Sequence, residues 1–511
     1  MHPTFATVPE ALGHWARARP AARALSAGTE ELSYAEVADA VDALAARLAG
    51  AGVEAGDRLA LLASNRVEWA LGFLAGLRSG AVVVPLNTHL SPREIGRQLD
   101  ACDPRLVLTD AGLLPLLERA NARCSIMLLE RDAPPARSIW GRAPGTLPAG
   151  PPVPGAPALI AFTSGSTGPP KGAVISHEAL MHSAGAFAEA LGTGCDDSTL
   201  VLVPLFHNTG YVDQLAHMLL VGGAVDLMGD FGTTRAIEAL SRRPATYLIA
   251  VPSVYRLLML SDDADVAFRS CRIAAYGGSL TPPAWLDELG ERWPAMGLYN
   301  IYGLTEFTSM SHVRSPDDDS APGSIGRPVA GVRQQLMDSD EQPVTRPNEP
   351  GELWIAGPMR MSGYWQGAGA TRDVFRGDWL RTGDIAYLDE AGCATVVGRS
   401  ADVINRGGEK IYPSQVEAAL CELPDVVEAA VVGVTHPIFQ NRVVACVVTR
   451  RHAALDEEAA RGHLLDRVAR YAVPEEYRLV PALPRNAAGK VDRSQVRALF
   501  AAEPTECNGR E

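Results

Sequence analysis

Two hydrophobic rhythms alternate along the chain. Over residues 33–50, Tyr34, Val37, Val41, Leu44 and Leu48 recur at intervals of three and four, which builds one apolar stripe on a helix. Ser33 and Glu36 form an S-x-x-E capping box at its start, and Gly50 ends it. Short continuous apolar runs follow: RLALLAS from Arg58, AVVVPLN from Ala81, RLVLTD from Arg105 and CSIMLLE from Cys124. LVLVPLF, AVDLM, TYLIAVP and CRIAAYGG carry the pattern on to Gly278. Each reads as a strand, and EWALGFLAGL from Glu68 reads as a helix between two of them. Strands apolar on both faces, alternating with amphipathic stretches, imply largely parallel sheets covered by helices.

The texture changes twice. Residues 133–157 hold eight prolines, which predicts a surface connection that packs as neither helix nor sheet. From about 350 the pieces are short and β-rich, as in GELWIAGP and CATVVGR. After about 401 comes a smaller α+β section, with strands predicted at VVEAAVVGV and RVVACVVT. The last residues, EPTECNGRE, are expected to be disordered. No internal repeat is visible.

Composition narrows the class. With 511 residues and 47% hydrophobic residues, the chain has ample material for a large core in several compact units. The net charge of −14 argues against a general nucleic-acid or anionic-membrane binder, but a local site for a small anion can oppose it. The eight cysteines show neither CxxC nor zinc spacing, so reduced thiols are expected. MHPTFATVPEALGHW lacks a basic region followed by an apolar run, and no apolar stretch approaches a membrane span. The expectation is a cytoplasmic protein.

The strongest chemical signal is TSGSTGPPKG, Thr163 to Gly172, between the apolar run ALIAF and a predicted helix. Gly165, Gly168 and Gly172 permit backbone conformations closed to other residues. Their amides, the hydroxyls of Thr163, Ser164, Ser166 and Thr167, and the Lys171 ammonium suit a phosphate chain. This is not a Walker motif, because Pro170 precedes the lysine and Gly172 follows it.

The segment resembles the phosphate loop of the adenylate-forming superfamily, which comprises acyl-CoA synthetases, adenylation domains of peptide synthetases, and luciferases. Further pieces match in the same order: YGLTE at Tyr302–Glu306, GSIGRP at Gly323–Pro328, GELWIAGP, and DWLRTGD ending at Asp384. GRSADVINRGGEKIYPSQVE from Gly398 and PRNAAGKVDR around Lys490 complete the set. The resemblance covers nearly the whole chain and is nearest to acyl-CoA ligases. It implies a large N-terminal α/β domain of helix-covered, mostly parallel sheets (1–400), and a small mobile α+β C-terminal lid (401–505). Residues 506–511 are left as a disordered tail.

The resemblance also implies roles. A carboxylate oxygen attacks the α-phosphorus of ATP and pyrophosphate leaves, so two anions must approach each other. Lys490 is implied to bridge them; one charge pair at about 4 Å and an effective dielectric of 20 is worth roughly 4 kcal/mol, about three decades in rate. Glu306 resembles the carboxylate that helps hold Mg²⁺, a hard cation preferring oxygen ligands. The nucleotide site implied comprises Thr163, Ser164, Gly165, Ser166, Thr167, Gly168, Lys171, Gly277, Gly278, Tyr302, Gly303, Thr305, Asp384 and Arg399. Within it Tyr302 stacks on adenine, and Asp384 and Arg399 face the ribose. His207, in PLFHN, resembles the histidine beside the acyl and pantetheine pocket. That pocket is read as His207, Asn208, Tyr211, Ser279, Leu304 and Thr308. Thiol attack by coenzyme A then releases AMP, after the lid turns and brings Gly407 and Gly408 to a pantetheine tunnel.

Three departures qualify the resemblance. The hinge position, usually Asp or Lys, is Ala401, which can rotate its backbone but cannot make side-chain contacts that balance two lid orientations. Unequal half-reactions are therefore expected, in the extreme an enzyme competent mainly in thioester formation. YAVPEE at Tyr471–Glu476 lacks the lysines that meet coenzyme A phosphates in many relatives, and a Trp-Gly-Glu-like segment is Phe-Gln-Asn at Phe439. A carrier-protein phosphopantetheine is thus the competing acceptor, and a non-catalytic nucleotide-binding scaffold is the remaining alternative. No acid lies in His207–Tyr211, where amino-acid-activating relatives place an aspartate, although Asp213 is close. The substrate expected is a carboxylic acid without an α-amine on an apolar body. Oligomeric state stays open.

Overall fold

The structure is a computed structural model that describes residues 4–147, 150–163, 170–278, 283–321, 323–407, 409–450, 453–486 and 490–500. It divides into two compact units. The first comprises Met1–Thr281, Trp285–Gln334 and Ile355–Leu380; the second comprises Pro282–Ala284, Gln335–Trp354 and Arg381–Glu511.

The first unit is built on two large sheets. One runs, edge to edge, Gly363–Tyr364, Lys171–Ser176, Pro157–Thr163, Val82–Pro85, Arg58–Leu62, Leu106–Thr109 and Ser125–Leu128. Its last five strands are parallel and its first three antiparallel. The other centres on six parallel strands: Gly297–Gly303, Ile273–Gly277, Tyr247–Ala250, Ser198–Val201, Ala224–Leu227 and Arg23–Ala27. Antiparallel strands, Met310–Arg314 among them, close its edges. The runs apolar on both faces are these parallel strands: Leu59 to Leu62, Val82 to Val84 and Leu106 to Leu108 are all buried. A parallel strand keeps both faces dry only because its crossover helices cover both.

The helix Tyr34–Gly50 begins as its capping box predicts. The Ser33 N–H donates to Glu36 Oε2 at 2.8 Å, and the Glu36 N–H returns to Ser33 Oγ. Its stripe Tyr34, Val37, Val41, Leu44 and Leu48 is buried. The described part of the proline-rich stretch is mostly exposed, as a surface connection should be, but it also packs locally. Ile139 is buried in a short turn of 3₁₀ helix, Trp140 Nε1 donates to the Leu129 carbonyl at 2.8 Å, and Pro157 opens a strand. Gly145 N donates to the Ala46 carbonyl of the capped helix at 2.7 Å. Prolines disfavour regular structure, but they do not bar a short turn or the packing of the residues between them.

The strand Trp379–Leu388, which enters the second unit at Arg381, and Ala394–Arg399 form an antiparallel hairpin that sets Asp384 opposite Arg399. Further on, Val426–His436, Gln440–Thr449 and Glu476–Leu479 make a three-stranded sheet with apolar side chains on both faces. One face packs on the helices Pro413–Cys421 and Glu457–Leu465 through Val431, Val443, Ala445, Leu420 and Leu464. The other packs on Arg493–Phe500 through Val432, Val444, Val496 and Phe500. Residues 404–500 thus carry a core of their own.

Candidate active site

The glycine-rich segment joins two antiparallel strands, with Thr163 paired to Lys171 and Phe162 to Gly172. A Cβ on Gly172 would lie 2.5 Å from Ile160 Cγ2, so close strand packing excludes any larger residue there. Ser164, Gly165, Ser166, Thr167 and Gly168 lie outside the described residues, as do Ser279 and Gly408. Lys171 is exposed, and its ammonium stands 5.5 Å from the ring centre of Tyr364. The Tyr364 hydroxyl donates to Glu306 Oε1 at 2.8 Å. One tyrosine therefore links the loop lysine to the carboxylate of YGLTE. Burial, and the carboxylate beside it, push the Tyr364 hydroxyl well above its ordinary range, which keeps it a donor.

The segment YGLTE forms the tip between Gly297–Gly303 and Met310–Arg314. The pairing slips between Tyr302 and Gly303, and Thr305–Phe307 makes one turn of 3₁₀ helix. Gly303 is required by contact, since a Cβ would sit 1.8 Å from the Ser309 carbonyl oxygen. The Glu306 carbonyl accepts from Met361 N at 2.9 Å, so both ends of this residue are held. Leu304 N donates to the Ser309 carbonyl at 3.0 Å, and Thr308 N to the Thr305 carbonyl at 3.1 Å. Thr308 is buried with φ 65°, a conformation strained for a β-branched residue. Its hydroxyl donates to the Met359 carbonyl at 2.6 Å, and its carbonyl accepts from Asn208 Nδ2 at 2.5 Å. The Tyr211 hydroxyl donates in turn to Asn208 Oδ1. Asn208, Tyr211 and, a hundred residues on, Thr308 thus meet in one hydrogen-bonded set. His207 directly precedes it, half-buried, with its ring 4.6 Å from that of Phe206.

Tyr302 is half-buried, and its ring lies 5.8 Å from that of His312 in an edge-on arrangement. His312 is buried; its Nε2 contacts Gln334 Oε1 at 2.8 Å and its Nδ1 contacts Ser311 Oγ at 2.9 Å. Burial lowers its pKa to about 4, so this prop stays uncharged. Gly277 abuts the neighbouring strand, where a Cβ would lie 2.2 Å from the Ile301 carbonyl oxygen, and Gly278 has φ 80°. Asp213 is buried on the π-helical turn Tyr211–Ala216, and its Oδ1 has no hydrogen-bond partner. Burial raises its pKa to about 8, against the pull of Ser309 and Thr209, so it is mostly neutral at pH 7.

In the second unit, Arg399 Nε and Asp384 Oδ1 are 3.1 Å apart, with the carboxylate buried and the guanidinium exposed. Ala401 is exposed in the turn Ser400–Asp402. Gly407 has φ 58° and donates to the Phe439 carbonyl at 3.0 Å. Glu475 pairs with Arg406, the residue before Gly407, so the acid that replaces a family lysine is balanced locally. Lys490 is exposed; its N–H donates to Asn486 Oδ1 at 3.1 Å and its carbonyl accepts from Asn486 N at 2.8 Å. Lys490 belongs to a different unit from Lys171 and Glu306.

Sequence reasoning missed Tyr364, His312 and the strain at Thr308. An aromatic in GYW carries no local signal because what it touches lies 58 and more residues away, and a histidine in SHV carries none because its burial is decided by the strands around it. Among the described residues no three acidic, histidine or cysteine groups gather around a metal position, and no helix is long and apolar enough to cross a membrane. A single aimed carboxylate fits Mg²⁺, which takes one or two protein carboxylates alongside substrate phosphates and water.

Comparison with known proteins gives the family. A family model described as AMP-binding enzyme matches residues 12–365, and one described as AMP-binding enzyme C-terminal domain matches 415–490. The indoleacetate–CoA ligase of Aromatoleum aromaticum is 32% identical over 497 residues, 94% of this chain and 96% of that protein. The crystal structure of an anthranilate CoA ligase with anthranoyl-AMP has a TM-score of 0.89 at 26% identity, covering 98% of this chain and 99% of the other. O-succinylbenzoate coenzyme A synthetase from Bacillus subtilis, with ATP and magnesium ion, has a TM-score of 0.85 at 28% identity, covering 95% and 99%.

Proposed function

The chain belongs to the AMP-binding enzyme family and is an ATP-dependent, AMP-forming acyl-CoA ligase; from that premise we propose that its substrate is a carboxylic acid without an α-amine, carried on an apolar body. The observation that carries the substrate reading is the Asn208 set. Asn208 is engaged on both sides, by the Thr308 carbonyl and the Tyr211 hydroxyl, and the nearest acid in sequence, Asp213, is mostly neutral. Among the described residues of that set no ionised carboxylate is offered to an ammonium group, so an acid bearing one would leave it poorly paired.

On this reading the carboxylate oxygen attacks the α-phosphorus, forming the acyl-adenylate as pyrophosphate leaves. Lys490 places its ammonium between the two anions. Thr163, Lys171 and the glycine-rich segment hold the phosphate chain, with Tyr302, Gly277, Gly278, Gly303 and Thr305 around the base and Asp384 and Arg399 at the ribose. Glu306, aimed by Tyr364, would hold Mg²⁺, which when bound neutralises phosphate oxygens. The coenzyme A sulfur then attacks the acyl carbon beside His207 and AMP leaves, with Gly407 and Gly408 lining the thiol path. We place the moving boundary near 400, where the separate core of residues 404–500 begins, and the pivot at Ala401. Because the methyl of Ala401 cannot make the polar contacts that would balance the two orientations, the half-reactions are expected to be unequal.

A mass-spectrometric screen of carboxylic acids with ATP and coenzyme A tests this. Apolar acids should yield acyl-CoA and AMP, and their α-amino counterparts should not. An α-amino acid as the best substrate would overturn the substrate reading. Comparing ATP–pyrophosphate exchange with thioester formation from synthetic adenylate tests the imbalance, and equal efficiencies would end it.

A further inference from the structure

The last of the quoted motifs ends on Arg493, three residues after Lys490 and at the start of the helix Arg493–Phe500. Its guanidinium is the meeting point of three separate elements. Nη1 and Nη2 reach the two carboxylate oxygens of Glu417 at 2.6 and 3.1 Å, from the helix Pro413–Cys421. Nη1 also donates to the Val431 carbonyl at 2.7 Å, on the strand Val426–His436. Nε lies 3.3 Å from Asp402 Oδ2, in the turn Ser400–Asp402. Val431 N donates back to Glu417 Oε1 at 2.8 Å, which fixes the carboxylate that Arg493 grips. Glu417 is buried, and the Arg493 side chain is 21% exposed, so water screens these contacts little. A planar guanidinium that satisfies a two-pronged contact and two further acceptors has one orientation available to it.

The stretch between Lys490 and Arg493 is braced as well. Arg485 and Val491 form an antiparallel bridge, Asn486 and Lys490 bond reciprocally, and Asp492 N donates to the Pro484 carbonyl at 2.8 Å. From Asp402 to Lys490 the connection therefore runs through ion pairs and backbone hydrogen bonds.

We propose that Arg493 is a positioning residue that ties the turn holding Ala401 to the Lys490 loop, so that the lysine moves as one body with the chain beyond the pivot. Asp402 supplies the side-chain contact that Ala401 cannot make. This rests on the reading that Lys490 serves adenylate formation and that the chain pivots at Ala401.

The test uses the full-length protein with Asp402→Asn and, separately, Arg493→Lys, which keeps the charge but loses the fork. Three readouts are taken: ATP–pyrophosphate exchange, thioester formation from a premade adenylate, and hydrogen exchange of peptides spanning 484–492. Misplacing a reacting group by even a fraction of an ångström is costly, so exchange kcat should fall about ten-fold or more while KM for ATP and the premade-adenylate rate stay within about two-fold. Hydrogen exchange across 484–492 should rise in both variants. Unchanged hydrogen exchange overturns the proposal, and so does a parallel fall of both half-reactions that tracks a lower Tm, which would mark a merely structural role. Lys490→Ala separates the two levels. If that variant keeps pyrophosphate exchange, the functional reading of the lysine fails, and the hydrogen-exchange arm still decides the tie.

Discussion

The Glu306 turn and the Lys490 loop are both short tips of antiparallel pairs, yet they are held in opposite ways. At the Glu306 turn the side chains are fixed. Tyr364 donates to the carboxylate, Thr308 is held strained by bonds at its hydroxyl and its carbonyl, and Gly303 fits only because it has no Cβ. At the Lys490 loop the described flanks are paired, Asn486 with Lys490, and the lysine is exposed. A carboxylate that receives a metal is useful only if it is aimed beforehand, since reorganisation at the moment of binding costs affinity. An exposed lysine keeps its ammonium hydrated, and the desolvation cost falls only where it is brought against a partner. The same local architecture thus supports a fixed group in one unit and a presented group in the other.

Several substitutions break or sharpen that contrast. Lys490→Ala should have the largest effect: pyrophosphate exchange lower by about three decades, with thioester formation from premade adenylate preserved. Loss of both steps would mean that the loop is structural. Glu306→Gln should lower pyrophosphate exchange by about two decades, and Tyr364→Phe should raise the Mg²⁺ needed for half-maximal rate about ten-fold. Binding of Mn²⁺ in the presence of ATP, followed by paramagnetic resonance, checks both variants without turnover. If Tyr364→Phe binds the ion as wild type does, the aiming role of its hydroxyl is lost.

Asn208→Asp places an anion where the substrate carboxylate has to approach. KM for the acid should rise about ten-fold with kcat less affected, and steady-state kinetics with a fixed acid reads it directly. The smallest effect on turnover is expected from Asp213→Asn, which acts on stability instead. The folded pKa of Asp213 is raised to about 8 from an ordinary value of 3.8. Below pH 4 both folded and unfolded states hold the proton and the group costs nothing. Above it only the unfolded chain releases the proton freely, so the fold is penalised increasingly up to about pH 8. The Asn variant escapes this penalty, and its Tm should exceed that of wild type by a margin that grows across that window. A margin independent of pH would show that Asp213 titrates normally.

Much of this was legible in the chain itself. The capping box at Ser33, the apolar runs from Arg58 to Gly278 and the order of the quoted motifs depend on neighbours a few residues apart, and local physics decides them. The family followed from those motifs. The proline-rich stretch shows the limit, because its composition disfavoured regular structure while the burial of Ile139 depended on which surface lay beneath it.

The sequence by itself determined the alternation of strands and helices, the parallel sheets and the residue types the chemistry requires. Only the tertiary structure decided that Tyr364 joins Lys171 to Glu306, that Thr308 is held at positive φ, that burial raises the pKa of Asp213 and that Arg493 grips Asp402. These are contacts between segments roughly 50 to 200 residues apart. A hydrogen bond or a pKa shift is set by distance and exclusion of water, and neither is encoded in the spacing of residues along the chain.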